Sequence, residues 1–152
     1  MTQLTSESYY QRALVLHEQR RYADAERELR QALVQEPSHP GSHALLAMCL
    51  AEQERFDEAQ AEADSSVGLA PDWPFAHYAR AYVLMDRHRY EEALAAIEPA
   101  IALNPYNCAF FSIKSAILFA LRRWSDSLAA ADAGLAIDPE HERCINQRRW
   151  RW

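Results

Sequence analysis

Small and large apolar positions recur along this chain with a period of 34 residues, without insertion or deletion. Counted from Ser6, Pro40, Pro74 and Cys108, the eighth position of each unit is Ala13, Ala47, Ala81 and Ser115. The twentieth is Ala25, Ala59, Ala93 and Ser127, and the twenty-seventh is Ala32, Ser66, Ala100 and Gly134. Between them stand Leu16, Leu50, Leu84 and Leu118 at the eleventh position, then Leu33, Val67, Ile101 and Leu135 at the twenty-eighth. Small side chains let two helices approach closely, and large ones fill the grooves that remain. A fixed period of this length marks a stacked array of one supersecondary unit.

The spacing predicts two antiparallel helices per unit, joined as an αα-hairpin. First helices are expected over about 7–20, 41–54, 75–88 and 109–122, and second helices over about 23–35, 57–69, 91–103 and 125–137. Pro37, Pro71, Pro105 and Pro139 follow the second helices at one phase, because the residue before a proline resists helical geometry and proline has no amide to donate. The units then run 6–39, 40–73, 74–107 and 108–141 within one domain spanning 1–152, and the phase continues into a ninth helix over 142–152. Pro99 falls inside a predicted helix, where it reads as a tolerated kink on the outer side.

Residues 6–139 resemble the tetratricopeptide repeat family in their phasing. The fourth position is Tyr9, His43, His77 and Phe111, the seventeenth is Tyr22, Phe56, Tyr90 and Trp124, and the prolines are complete. The resemblance implies an all-α, right-handed superhelix of four helix-turn-helix repeats plus the ninth helix, acting as a non-enzymatic protein-interaction scaffold. It further implies that first helices line a concave groove. Carried over by phase, the groove holds Tyr10, Leu14, His17, Met48, Phe75, Tyr78, Tyr82, Met85 and Phe119, edged by the carboxylates Glu18, Glu52 and Asp86. Tyr78, Tyr82 and Met85 are therefore expected to be surplus to interior packing, so that losing both tyrosines would abolish binding and leave helicity intact. Apolar side chains gathered on one face favour partner docking, and aromatics and methionine are enriched where partners dock. The basic and amide side chains that hold a chaperone tail's carboxylate in some family members are replaced here by Tyr10, Leu14, Leu45, Phe75 and Ala79, so the expected ligand is an apolar peptide or helix with basic residues.

Composition narrows the remaining classes. A net charge of -6 disfavours nucleic acid and anionic membranes. Arg21, Arg55, Arg89 and Arg123 would form a ridge, but acids follow each one and neutralise it. No apolar run approaches the ~20 residues that cross a bilayer, and the start Met1 to Thr5 lacks a secretory pattern. Cys49, Cys108 and Cys144 lack disulfide or zinc spacing and suit a reducing cytoplasm, and the pair His141 and Cys144 is too few for a metal. Neither cofactor nor catalytic constellation is expected. Two alternatives remain: a self-assembly module in which the basic, aromatic segment Arg148 to Trp152 docks in a neighbour's groove, and an accessory domain of a longer protein whose catalytic or membrane part lies beyond Trp152.

Overall fold

The computed structural model describes residues 4–149. Among them lie nine helices: α1 (Ser6–Glu18), α2 (Tyr22–Gln35), α3 (Pro40–Glu52), α4 (Phe56–Leu69), α5 (Pro74–Asp86), α6 (Tyr90–Leu103), α7 (Cys108–Ala120), α8 (Trp124–Ile137) and α9 (Glu142–Arg149). Each odd helix pairs with the even helix that follows it, and each even helix also packs against the next odd one. Odd helices touch one another along the stack from α1 to α9, whereas no even helix among the described residues approaches another even helix. The odd helices are therefore the inner row and the even helices the outer row. The small positions sit at the contacts: Ala13, Ala25, Ala32, Ala47, Ala59, Ala81, Ala93 and Ala100 are all fully buried.

First helices end about two residues earlier than the sequence spacing predicts, for a backbone reason. Arg20, Glu54, His88 and Arg122, at the fifteenth phase of each repeat, have φ near +60°. The next amide then donates back to the carbonyl five residues before it: Arg21 to Leu16, Arg55 to Leu50, Arg89 to Leu84 and Arg123 to Leu118, at 2.9–3.0 Å. This is a Schellman closure, normally built on glycine because other residues crowd in the left-handed region. It satisfies otherwise orphaned carbonyls and turns the chain within three residues.

The arginine after each turn sits at the entry of the second helix instead of closing the first. Arg21, Arg55 and Arg123 pair with Asp24, Glu58 and Asp126 three residues on, at 2.8–2.9 Å. Three of the four ridge arginines are thus neutralised by first-turn acids. Pro99 is accommodated within α6, which runs through it without interruption.

His43 and His77 occupy the aromatic phase and use their polar edge. Each donates from Nε2 to the carbonyl of the proline ending the previous repeat, Pro37 or Pro71, at 2.7 Å. His43 also places Nδ1 2.5 Å from the Glu62 carboxylate, and this partner raises its pKa. His39 is the N-cap of α3 and accepts the Ser42 amide on Nδ1 at 3.0 Å.

Candidate functional site

The inner row curves so that α9 comes round toward α1. The concave pocket of about 560 Å³ has His17, Glu18, Arg20 and Tyr22 on one wall, Met48, Glu52, Tyr78 and Tyr82 on its floor, and Arg143 of α9 on the other wall. Arg143 lies close enough to Tyr78 to act on its hydroxyl, and its charge, together with burial as the larger cause, lowers the pKa of His17. The Nε2 of His17 is buried without a hydrogen-bond partner.

Close approach of the first helices divides the expected groove residues. Met48 and Tyr78 are each only 6% exposed and belong to the interior of the stack, with Ala44, Ala79, Ala81 and Phe110 around them. Small residues at these contacts draw α3 and α5 together, and the side chains pointing inward are pinched between them. The expectation that Tyr78 is surplus to packing is thereby corrected. Tyr78 is the hub of a ring cluster, 5.2 Å from Phe75, 5.5 Å from Phe110 and 6.4 Å from Tyr82 between centroids.

The remaining groove residues keep some surface. Phe75 is 40% exposed and stacks on Trp73 at 5.9 Å. Tyr82 and Met85 are half-buried, as are Leu14 and His17. Tyr10 is half-buried too, with its ring tip 3.1 Å from where a Cβ on Gly41 would lie, so a glycine there makes room for it. Phe119 lies apart from the central pocket, in a recess of about 250 Å³ shared with Ala116, Arg143, Asn146 and Gln147.

The acidic edge is partly engaged. Tyr82 donates its hydroxyl to the Glu52 carboxylate. Asp86 is pushed up to about 6, first by burial and then by Glu52, with His88 opposing. Glu18 is exposed at the rim. Glu52 on the floor and Asp86 beyond it therefore repel each other, and Asp86 is partly desolvated.

Arg143 was not among the groove residues expected from sequence. Its phase would have revealed it, since counting a fifth unit from Glu142 puts Arg143 at the second, groove-facing position. Helix α9 is anchored by Cys144 against Gly134 and by Gln147, whose Nε2 donates to the Ser112 carbonyl at 2.9 Å. Of the segment Arg148 to Trp152, Arg148 meets Asp132 at 3.4 Å, and 150–152 lie outside the described residues.

Tetratricopeptide repeat profiles match residues 16–82 and 74–107. The chain belongs to the tetratricopeptide repeat family. As a TPR protein it shares its fold with a thermophilic TPR protein of Thermus thermophilus at a TM-score of 0.85 and 17% identity, over 91% of this chain and 77% of that one. It also resembles PilF of Pseudomonas aeruginosa, at a TM-score of 0.82 and 19% identity over 94% of this chain and 65% of that one. A third is MamA of Desulfovibrio magneticus, at a TM-score of 0.72 and 18% identity over 95% and 82%. A search of curated proteins returns no match. Membership of the tetratricopeptide repeat family supports a protein-interaction scaffold in general terms. Among the described residues no group of three or more His, Cys, Asp or Glu could hold a metal ion, and no helix is long and apolar enough to cross a membrane.

Proposed function

We propose that the concave face binds a partner segment that sets a basic side chain against Glu52 and Asp86 and apolar side chains against Phe75, Tyr82 and Met85. The observation that carries this reading is the concave pocket itself, with Glu52 on its floor beside Tyr82, and Asp86, raised to about 6 by burial and by Glu52, adds a second carboxylate. Two carboxylates crowded together are relieved by a cation, and a guanidinium can serve both at once. A pre-formed array of helices keeps the ordering cost on the scaffold side low. One solved neighbour, YrrB, is described as a TPR protein with an unusual peptide-binding site, at 17% identity. That precedent concerns YrrB and lends this reading plausibility of kind.

The chain's role is then recognition without catalysis, and its three free thiols suit a reducing compartment such as the cytoplasm. A basic and aromatic peptide, Arg-Arg-Trp-Arg-Trp as in residues 148–152, is a suitable probe. Fluorescence titration of the full chain with this peptide is expected to show saturable binding, weakened at least about tenfold by Met85→Ala combined with Glu52→Gln. Unchanged affinity in that variant would remove the groove from consideration. The same peptide serves the self-assembly reading: a full chain whose mass in solution rises with concentration, and returns to monomer when 148–152 are deleted, would make the occupant a second copy.

A further inference from the structure

Four inter-repeat junctions are occupied among the described residues, α2 on α3, α4 on α5, α6 on α7 and α8 on α9, and α1 presents the receiving half of another. At the last three, a basic residue at the seventh phase pairs with an acid at the twenty-fifth phase of the preceding second helix, whereas the first junction has Leu46 and Arg30 at those phases. Arg80 meets Asp64 at 2.9 Å, Lys114 meets Glu98 at 2.8 Å, and Arg148 meets Asp132 at 3.4 Å. A second polar bond recurs at the first two junctions. The twenty-first phase of one repeat holds the fourteenth or sixteenth of the next, Glu26 with Arg55 at 2.8 Å and Gln60 with Arg87 at 2.7 Å.

In repeat one the same face has no preceding helix among the described residues. Its seventh-phase residue is Arg12, paired instead with Glu28 of its own hairpin at 3.0 Å. The tenth-phase residues Cys49, Val83 and Ile117 are 0% exposed in the later repeats, whereas Val15 is 53% exposed. Leu16 is half-buried where Leu50, Leu84 and Leu118 are buried. Tyr9, Arg12, Val15, Leu16, Arg21 and Glu28 contribute to a trough of about 900 Å³. In repeat four the matching recess has Leu94 and Glu98 of α6 reaching into it.

We propose that this end face is a docking surface for an amphipathic helix of another protein, seated as a second helix and carrying a carboxylate against Arg12. The internal junctions supply the reason for that chemistry: three of the four occupied ones combine apolar cover with an acid facing a seventh-phase cation, and the open face carries a cation, Arg12, at that phase. A second copy of this chain is a poor occupant, because its α2, α4, α6 and α8 are already packed on α3, α5, α7 and α9. The surface is separate from the concave face.

The test uses the full chain and a stapled, fluorescein-labelled helix with the sequence of residues 56–69, which carries Asp64. Saturable binding is expected, weakened at least about tenfold by Val15→Asp and several-fold either by Arg12→Gln or by replacing Asp64 of the peptide with Asn. Val15 is half-exposed, so circular dichroism should report an intact fold in its variant. Met85→Ala with Glu52→Gln should leave this binding unchanged, which separates it from recognition in the groove. Absence of saturable binding, or binding indifferent to Val15→Asp, overturns the proposal. So does a concentration-dependent dimer that Val15→Asp dissolves, because the occupant would then be a second copy.

Discussion

Gly134 of α8 lies so close to Cys144 of α9 that a Cβ built on it would stand 2.5 Å from the Cys144 Sγ. The contact explains how α9 sits low enough to project Arg143 across the concave face. Cys144 is fully buried there, and burial pushes its thiol up to about 11. Gly134→Val forces the sulfur and then the helix outward, and overpacking of this kind costs about 1–3 kcal/mol. Amide exchange across 142–149 is expected to accelerate while α1 to α4 keep their protection. Uniform protection in the variant would show that α9 is held by something other than this contact.

The four turns with positive φ offer a stabilising change. Glu54 has φ of 61° and is exposed, so its side chain brings little packing to set against the backbone cost. An L-residue in the left-handed region costs about 1–2 kcal/mol, from which the extra flexibility of glycine in the unfolded chain subtracts part. Glu54→Gly is therefore expected to stabilise the chain by up to about 1 kcal/mol, read as a higher denaturation midpoint. A lower midpoint would mean that the turn is not strained.

Sequence spacing alone located every second helix to within a residue of its observed start, because aromatic and proline phases bracket each one. It could not place the ends of the first helices. A left-handed turn at Arg20, Glu54, His88 and Arg122 is ordinarily announced by glycine, and none stands there. The groove was legible as a face and not as a surface. Phase tells which way Tyr78 points, but its burial depends on how tightly α3 and α5 approach, a distance set jointly by Ala44, Ala47, Ala79 and Ala81. Arg143 is missing from the expected groove because the groove phases were carried over through four units only, although the phase continues into its helix.

The two groove tyrosines should accordingly separate in experiment. Tyr78 packs in the interior against Phe75 and Phe110, so Tyr78→Ala opens a cavity and is expected to cost about 3–5 kcal/mol. Tyr82 keeps surface and donates to Glu52, so Tyr82→Phe removes a hydrogen bond worth about 1 kcal/mol or slightly more to a charged acceptor. Thermal unfolding followed by circular dichroism distinguishes them. Equal losses in both variants would place the two side chains in equivalent surroundings, against the burial described above.

Asp86 couples the floor of the groove to pH. Its carboxyl is raised from 3.8 to about 6 by burial and by Glu52, so the folded chain holds this proton more tightly than the unfolded one. By linkage, its contribution to stability is fully present below about pH 3.8 and is lost as pH rises through about 6. Asp86→Asn cannot ionise, so its melting temperature should exceed that of the wild type at pH 7 and converge with it near pH 4. A cation bound beside Glu52 favours the ionised carboxylate and reverses the local penalty. Binding of a basic peptide should then release a proton, and its affinity should climb between pH 5 and pH 7 in the wild type but much less in Asp86→Asn. Calorimetry in two buffers of different ionisation enthalpy counts the protons directly. If no proton is released, the peptide's cation does not lie beside Asp86.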